Sequence, residues 1–273
     1  MINLIDVRLD HPRGGNHVVT DANLGVMKGE VVLIVGAAGV GTSRIVAAAL
    51  GEQQATSGRI EVLGHDVGKL RRSSLRMLRR RIGIVPQELC LLEDRSAQLN
   101  VMMPLEIDGI PRSISVVRAA EVLTRLGLEE EASLPVDCLS ASERQRVAVA
   151  RALIREPELV IADHPTSAQD AEGAELVCDA LAEAAQAGAA VLVFGRDIAL
   201  RMIADRYGWR QLALIDGTLR PLGEVALEGR SIEEVLVDMM SAPVPAEITA
   251  PHELPDDSDS NILPFPIAQG AAR

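Results

Sequence analysis

The residues with the clearest chemical potential lie in the stretch VLIVGAAGVGTSRI, at positions 32–45. Gly36 and Gly41 bound a turn between an apolar run and a segment that opens with the hydroxyl residue Ser43. Glycines permit the positive φ angles that aim successive backbone N–H groups inward, and a helix N-terminus adds a positive dipole end. This pattern predicts a phosphate-binding loop, with Ser43 placed to bind magnesium.

One position departs from the phosphate-loop pattern G-x-x-x-x-G-K-[ST], because Thr42 stands where the lysine is expected. Threonine offers a neutral hydroxyl instead of a full positive charge. Charge-assisted hydrogen bonds contribute about 1.5 to 3 kcal/mol, so we expect nucleotide affinity to be lower by about one to two orders of magnitude. Arg44 is a doubtful replacement, because one helical step turns its side chain by about 100°. Taken alone, the loop could equally be a structural turn between a strand and a helix.

The elements that must position this loop follow from the periodicity of the apolar residues. Short runs separated by turn residues make the first 70 residues rich in predicted strands. The runs LVIAD and AAVLVFG are flanked by helical segments, as in a parallel sheet covered on both faces. The Asp-Gly pair in LALIDGTLRPL predicts a late hairpin. The sequence therefore predicts an α/β fold.

Helical periodicity is expected between about residues 96 and 156. The segment SVVRAAEVLTRLGL has a spacing that predicts one apolar helix face. That face is expected to contain Val116, Ala119, Ala120, Leu123 and Leu126.

Composition limits the compartment and the partners. The 273 residues are 48% hydrophobic and have a net charge of −12, which argues against general nucleic-acid binding. No run reaches the ~18 to 20 apolar residues of a membrane-spanning helix, and no secretory signal is visible, so we expect a cytoplasmic protein. Three widely spaced cysteines, Cys90, Cys138 and Cys178, fit reduced thiols better than disulfides or a metal site.

Two segments have an unusual charge. The basic run KLRRSSLRMLRRR, residues 69–81, is expected to be a solvated helix face, with proximity to an anionic membrane leaflet as the alternative. Residues 242–273 hold six prolines, five acidic residues and one basic residue. This composition predicts a disordered tail, because little apolar surface can be buried to offset the ordering entropy. A helical extension is expected before it, over residues 223–241.

Three further motifs, RRIGIVPQE, LSASERQRVAVARAL and EPELVIADHPTSAQD, make the chain resemble the ATP-binding subunits of ABC systems. The resemblance covers about residues 1–222. It implies a P-loop NTPase fold of ABC type, with a mixed sheet core, an antiparallel β subdomain and an inserted helical subdomain over about residues 96–156. The segment LLEDRSAQLNVMMPLEIDGI, residues 91–110, most resembles the cell-division subunits of the FtsE type, with lipoprotein-release and macrolide-export subunits as near relatives.

The resemblance implies a role for each position that matches a family motif. Gln87 and Asp163 match residues that contact magnesium, and the loop LSASE matches the signature that reaches the other subunit's nucleotide. His11 matches the aromatic residue that stacks on adenine. The implied magnesium ligands are Ser43, Gln87 and Asp163, and the implied nucleotide contacts are His11, Gly36, Ala37, Ala38, Gly39, Val40, Gly41, Thr42, Ser43, Gln87, Ser140 and Ser142.

Four departures from the family motifs affect the reaction chemistry. Thr42 replaces the lysine, and His164 replaces the glutamate that polarises the attacking water. Arg196 replaces a histidine that contacts the γ-phosphate, and Ala141 and Ser142 replace two signature glycines. Added Cβ atoms cost about 1 to 2 kcal/mol wherever φ must be positive, so we expect the signature clamp to close less well. No catalytic residue is expected to be intact, and we expect weak binding of ATP and Mg²⁺ with impaired hydrolysis.

Three functional hypotheses follow. The first is an FtsE-like scaffold that binds an FtsX-like integral membrane partner at the inner face of the cell membrane and supports cell division with little turnover. The second is an active ATPase of a lipoprotein- or drug-export system, with His164 as general base and Arg196 as phosphate clamp. The third is the degenerate half of a heterodimer, in place of a homodimer, whose partner supplies one working site.

Overall fold

The computed structural model describes residues 1–10, 17–36 and 41–223. Residues 224–273, which include the predicted tail and nearly all of the predicted helical extension, lie outside the described residues. The strands are β1 (Ile2–Asp10), β2 (His17–Val26), β3 (Val31–Gly36), β4 (Ser57–Val62), β5 (His65–Asp66), β6 (Ile82–Val85), β7 (Leu159–Asp163), β8 (Ala190–Phe194), β9 (Arg210–Ile215) and β10 (Thr218–Pro221). The α-helices are α1 (Thr42–Ala49), α2 (Arg72–Arg79), α3 (Ala97–Ile107), α4 (Arg112–Arg125), α5 (Ala141–Leu153), α6 (Ala171–Gln186) and α7 (Ile198–Arg206).

Two sheets form the framework. A four-stranded sheet has the order β2-β1-β4-β5, and a six-stranded sheet has the order β10-β9-β3-β8-β7-β6. In the larger sheet, β9, β3, β8, β7 and β6 run parallel and β10 pairs antiparallel with β9. The predicted strands of the first 70 residues are confirmed as β1 to β4. A mixed sheet beside a separate antiparallel sheet confirms the predicted fold class.

The larger sheet is buried on both faces. All six residues of β3 are buried, and they alternate between two apolar clusters. Leu33 and Val35 pack into the cluster that contains residues of α3 to α7, whereas Val32 and Ile34 pack against α1 and the antiparallel sheet. This alternation explains why β3 has a continuous apolar run without the polar alternation of a half-exposed strand.

The predicted hairpin is confirmed between β9 and β10. Asp216 and Gly217 join the two strands with φ angles of 48° and 77°. Positive φ at both central residues is the requirement of a type I′ turn, which favours Asp-Gly.

The helix predicted within SVVRAAEVLTRLGL is confirmed as α4, with one error in its buried face. Ala119 and Leu123 are buried as predicted, but Ala120 is exposed. Val122, which the predicted face omitted, is buried with them. The buried stripe is therefore turned toward Val122, because α3 and α5 both pack against α4 and together set which side is covered.

Among the described residues, none of the helices has the length and apolar composition that spanning a membrane requires.

A prediction concerns the close approach of β6 to α5. A Cβ atom at Gly83 would lie 2.4 Å from the Ala152 carbonyl oxygen and 2.9 Å from Pro157 Cγ. We expect Gly83→Ala to lower the free energy of unfolding by about 1 to 3 kcal/mol, because the methyl group forces the backbones apart. Urea unfolding measures this, with Gly68→Ala as the control, where the nearest atom lies 3.5 Å away. Equal losses in the two variants would contradict the packing explanation.

Candidate functional site

The parallel strands end together at one edge of the six-stranded sheet. Ile34 of β3 lies opposite Phe194 of β8, and Phe194 lies opposite Asp163 of β7. In turn, Val85 of β6 lies opposite Ala162 of β7. Loops that leave the carboxyl ends of parallel strands form the usual ligand crevice of such sheets. The segments containing Thr42, His164, Arg196 and Gln87 follow these four strand ends.

The described end of the phosphate loop has the predicted geometry. Gly41 has a φ of 111° and directly precedes α1. A Cβ atom there would come within 2.7 Å of Val18 Cγ1 and 2.9 Å of Val19 Cγ2, so only glycine fits. None of the described side chains caps the start of α1, which leaves its first N–H groups suited to an anion. The implied nucleotide contacts outside the described residues are His11, Ala37, Ala38, Gly39 and Val40.

The position of the missing lysine is buried and neutral. Thr42 is only 8% exposed. The Arg44 guanidinium donates to the backbone oxygen of Asp10 at 3.5 Å and to Gln53 Oε1 at 3.4 Å, and both groups lie outside the loop. Burial lowers the pKa of Arg44 from its ordinary value. Arg44 therefore does not replace the lysine charge in this conformation.

Asp163 is a buried carboxylate shared by two neighbours. Its Oδ2 atom accepts a hydrogen bond from Ser43 Oγ at 3.3 Å, and its Oδ1 atom lies 2.9 Å from His164 Nδ1. The contact between Nδ1 and this carboxylate fixes the orientation of the imidazole ring.

Two of the three predicted magnesium ligands lie together. Ser43 Oγ and Asp163 Oδ2 are hard oxygen ligands at adjacent positions, which fits the requirements of Mg²⁺. Gln87 follows the neighbouring strand β6, but it is exposed and makes no hydrogen bond within the described residues. The described part of the chain contains no group of three His, Cys, Asp or Glu side chains that could hold a metal without help from other ligands.

His164 has a left-handed backbone, with a φ of 54°. Its N–H donates to the Phe194 carbonyl at 2.8 Å, and its own carbonyl accepts from Gln145 Nε2 at 2.8 Å. Such a conformation costs about 1 to 3 kcal/mol in a non-glycine residue and persists only where the surroundings over-determine it, commonly at functional sites. The fold thus fixes the position after Asp163 although the residue type has changed.

Arg196 places a cation near the same edge. It is half-buried and has no hydrogen-bond or ion-pair partner within the described residues. The next residue, Asp197, caps α7 through Leu200 N at 2.8 Å and accepts from Thr166 Oγ1 at 2.8 Å. These bonds fix the backbone beside Arg196 and leave its guanidinium available to an anion.

The signature segment begins α5 with a capping box. Ser140 N donates to Glu143 Oε2 at 2.7 Å, and Glu143 N donates to Ser140 Oγ at 3.2 Å. The backbone hydrogen bond from Ser140 lowers the pKa of the Glu143 carboxyl. The expected steric cost at Ala141 and Ser142 is wrong for this conformation. Both residues lie in the first turn of α5 and neither has a positive φ, so their Cβ atoms meet no backbone penalty.

The Ser142 side chain bonds within its own chain in this structure. Its hydroxyl donates to Gln169 Oε1 at 3.0 Å, and Gln169 Nε2 donates back to the Ser142 carbonyl at 2.9 Å. Gln145 extends this network by donating to the His164 carbonyl and accepting from Ala168 N at 3.0 Å. The N-terminal half of α5 is therefore fastened to the loop that follows β7.

Gln145 is a site residue that the sequence reasoning missed. It is only 4% exposed and shares a helix face with Ala148 and Val149. The sequence contained one signal for this role. Gln145 lies at the spacing of core-facing helix residues, and a buried amide needs hydrogen-bond partners.

Arg151 lies about one and a half turns further along α5. It donates to the carbonyl oxygens of Leu89 at 2.5 Å and Cys90 at 2.7 Å. Burial lowers the pKa of its guanidinium.

Comparison with known proteins identifies the family. The sequence profile of the family described as ABC transporter matches residues 19–167. The methionine import ATP-binding protein MetN of Mesorhizobium japonicum is 32% identical over 279 residues, covering 100% of this chain and 74% of that protein. The chain belongs to the ABC transporter family.

Other relatives agree with this assignment. The lipoprotein-releasing system ATP-binding protein LolD of Neorickettsia sennetsu is 38% identical over 192 residues, covering 69% of this chain and 84% of that protein. The solved dimeric structure of a bacterial ABC transporter cassette superposes with a TM-score of 0.73 at 30% identity, covering 81% of this chain and 97% of that one. The predicted ABC family and fold are confirmed.

The finer cell-division assignment has no support from these relatives, whose names refer to methionine import and lipoprotein release. The segment on which it rested, residues 91–110, has a structural explanation. Asn100 is fully buried there, and its side chain bonds to backbone atoms of Leu92, Arg95 and Ser96. Asn100 therefore has a structural role in holding this loop together.

A prediction tests the fastening of α5 to the loop after β7. We expect Gln145→Leu to lower the free energy of unfolding by about 1 to 3 kcal/mol, because buried polar partners lose their hydrogen bonds. The amide of Ala168, which has Gln145 Oε1 as its acceptor, should exchange faster with solvent. Urea unfolding and amide hydrogen exchange measure these effects. Gln186→Leu, at an exposed position of α6, is the control, and an equal response there would contradict the role of Gln145.

Proposed function

We propose that this chain is the ATP-binding subunit of an ABC transport system, that it binds ATP and Mg²⁺ weakly and hydrolyses ATP poorly, and that it pairs with an integral membrane permease. The observation that supports this most directly is at residue 164. Where the family motif has a glutamate, this chain has a histidine whose Nδ1 atom is bonded to Asp163.

The names of the relatives favour transport over cell division. MetN is named for methionine import and LolD for lipoprotein release, and both are called ATP-binding proteins. The proposed function combines parts of two hypotheses above. It shares a transport role with the second hypothesis and weakened chemistry with the first. The partner we propose is a permease whose substrate is unspecified, and a subunit bound to it would lie at the inner face of the membrane. An FtsX-like identity for that partner has no support from these names.

Weak nucleotide binding is supported by the contrast between Thr42 and Ser43. The loop glycine Gly41 and the hydroxyl of Ser43 are retained, but Thr42 is a buried neutral residue in the lysine position. Ser43 and Asp163 would hold Mg²⁺, which neutralises phosphate charge when bound. The half-buried Arg196 adds a cation that can contact a phosphate anion. The proposed site therefore favours binding over turnover.

Impaired hydrolysis is supported by the chemistry available to His164. A glutamate would place a negative charge beside the attacking water, whereas an imidazole ring has no negative charge whether or not it is protonated. Its Nδ1 atom already contacts Asp163, which orients Nε2 but adds no charge at the water position. Removing one positioned group from a site of this kind typically costs a factor of about 10² to 10³ in rate.

The second candidate function is that of the degenerate half of a heterodimer. It is supported by the start of α5, where the signature segment forms a regular first helical turn. Ser140 is exposed, and the capping box holds the first turn of α5 in a regular helix. Such a turn can still offer N–H groups to the nucleotide of another subunit. In this arrangement an intact partner would supply the phosphate loop and the glutamate of one working site.

A prediction on affinity follows from the missing lysine. We expect Thr42→Lys to tighten ATP binding about 10- to 100-fold, because the restored charge contributes about 1.5 to 3 kcal/mol. Isothermal titration with ATP and Mg²⁺ measures the dissociation constant. Thr42→Met is the matched control, since it adds length without charge and should give no gain. Tight binding by the unaltered chain, with no gain in Thr42→Lys, would contradict the proposal.

A separate prediction concerns turnover. In the Thr42→Lys background, we expect His164→Glu to raise steady-state phosphate release at least about tenfold, because the water regains a negatively charged neighbour. His164→Gln is the control and should leave the low rate unchanged. Fast turnover by the unaltered chain that disappears in His164→Ala would show that the histidine is a working base, and the proposal of impaired hydrolysis would then fail.

A further inference from the structure

The exposed side of α2 has three arginines that the proposed function does not explain. Arg71, Arg72 and Arg76 are exposed and have neither an ion pair nor a hydrogen bond within the described residues. We call these three residues the basic face of α2. The other arginines of this segment differ because each has a carboxylate partner, at 4.0, 3.8 and 2.6 Å: Arg79 with Glu52, Arg80 with Asp108 and Arg81 with Glu158.

The basic face is electrostatically unfavourable in isolation. Arg72 and Arg76 are four residues apart on one helix, where like charges repel each other. Arg71 and Arg72 also stand at the N-terminus of α2, whose first turn contains no acidic residue, so they face the positive end of the helix dipole. An anionic partner would relieve both repulsions.

The chain itself contains a concentrated source of negative charge. Residues 224–273 hold ten acidic and two basic residues, so this segment accounts for eight of the twelve net negative charges. The short stretch ELPDDSD, residues 253–259, contains four of these carboxylates and no basic residue. The opposite charges of this stretch and the basic face are complementary.

We propose that residues 253–259 bind to the basic face of α2. The 29 residues 224–252 separate Gly223, the last described position, from this stretch. Even with the expected helix over residues 223–241, this length of chain can extend to about 60 Å. A domain of about 220 residues has a radius of gyration of about 17 Å, so the stretch can reach distant parts of its surface. Tethering gives an effective concentration of about a millimolar, at which even a weak ionic contact is well populated.

The apolar residues of α2 argue against a membrane as the occupant. Leu78 is buried and Leu75 packs beside Gly51, so both side chains face the protein. Met77, which is 61% exposed, is the only large apolar residue of α2 in the exposed class. Amphipathic helices that lie in a membrane bury a broad apolar face, which α2 does not present. The basic face therefore suits an acidic peptide better than a lipid surface.

The experiment measures the distance between α2 and the acidic stretch in the full chain. Spin labels are placed at Ser73→Cys and Ser258→Cys after the exposed thiols, Cys90 and Cys138, are replaced by serine. Pulsed electron resonance should show a narrow short-distance population in 0.1 M salt. In 1 M salt this population should be lost, because the Debye length falls from about 10 Å to about 3 Å.

Charge variants make the test specific. Arg72→Glu with Arg76→Glu should abolish the short-distance population, and adding Asp256→Lys with Asp257→Lys should restore it. Arg118→Glu, at an exposed position of α4, is the matched control and should leave the population unchanged. A broad distribution in the unaltered chain, or a short distance that survives the charge reversal, would overturn the proposal. A broad distribution in the vesicle-free chain, together with binding to phosphatidylglycerol vesicles that Arg72→Glu with Arg76→Glu abolishes, would overturn it and identify the membrane as the occupant.

Discussion

A buried carboxylate is stable only if its oxygens find hydrogen-bond partners, and Asp163 meets this requirement with Ser43 on one side and His164 on the other. These bonds join the start of α1 to the loop that follows β7. The start of α1, the two proposed magnesium ligands and the position of His164 thus depend on one acid. Two residues that match the family motifs each lie beside one that departs from them. Ser43 follows Thr42, and Asp163 precedes His164.

The pattern of retention has an energetic explanation. Ser43 and Asp163 stabilise each other through their own hydrogen bond, so both residues contribute to the fold itself. A lysine at position 42 would bring a charge to a site that is only 8% exposed, and that charge would need an anion nearby to offset its desolvation. A threonine side chain is neutral and needs no anion nearby. The chain is therefore suited to remain folded whether or not phosphate is bound.

Local chemistry made much of the fold predictable, and tertiary contacts limited the rest. The strands, the Asp-Gly hairpin and the glycine at position 41 follow from short-range spacing, turn preference and φ requirements. The intrachain bond of Ser142 could not be predicted from the motif, because its partner, Gln169, lies 27 residues away. Ala120 was misplaced because the neighbours of α4, not its periodicity, set the exact buried side. The structure also left Gln87 without the contacts that its motif implies, since those depend on ligands or partners.

The hydrogen bonds of α5 have a mechanical consequence. Gln145 holds the loop after β7, and Arg151 holds the loop after β6. The two residues are separated by about 9 Å along a continuous helix, at the usual rise of 1.5 Å per residue. Because an α-helix of this length behaves as a rigid rod, a shift of α5 displaces both loops in the same direction. Movement of one loop is thus transmitted to the other through α5. This coupling of the two loop positions does not require the hydrolysis of a nucleotide.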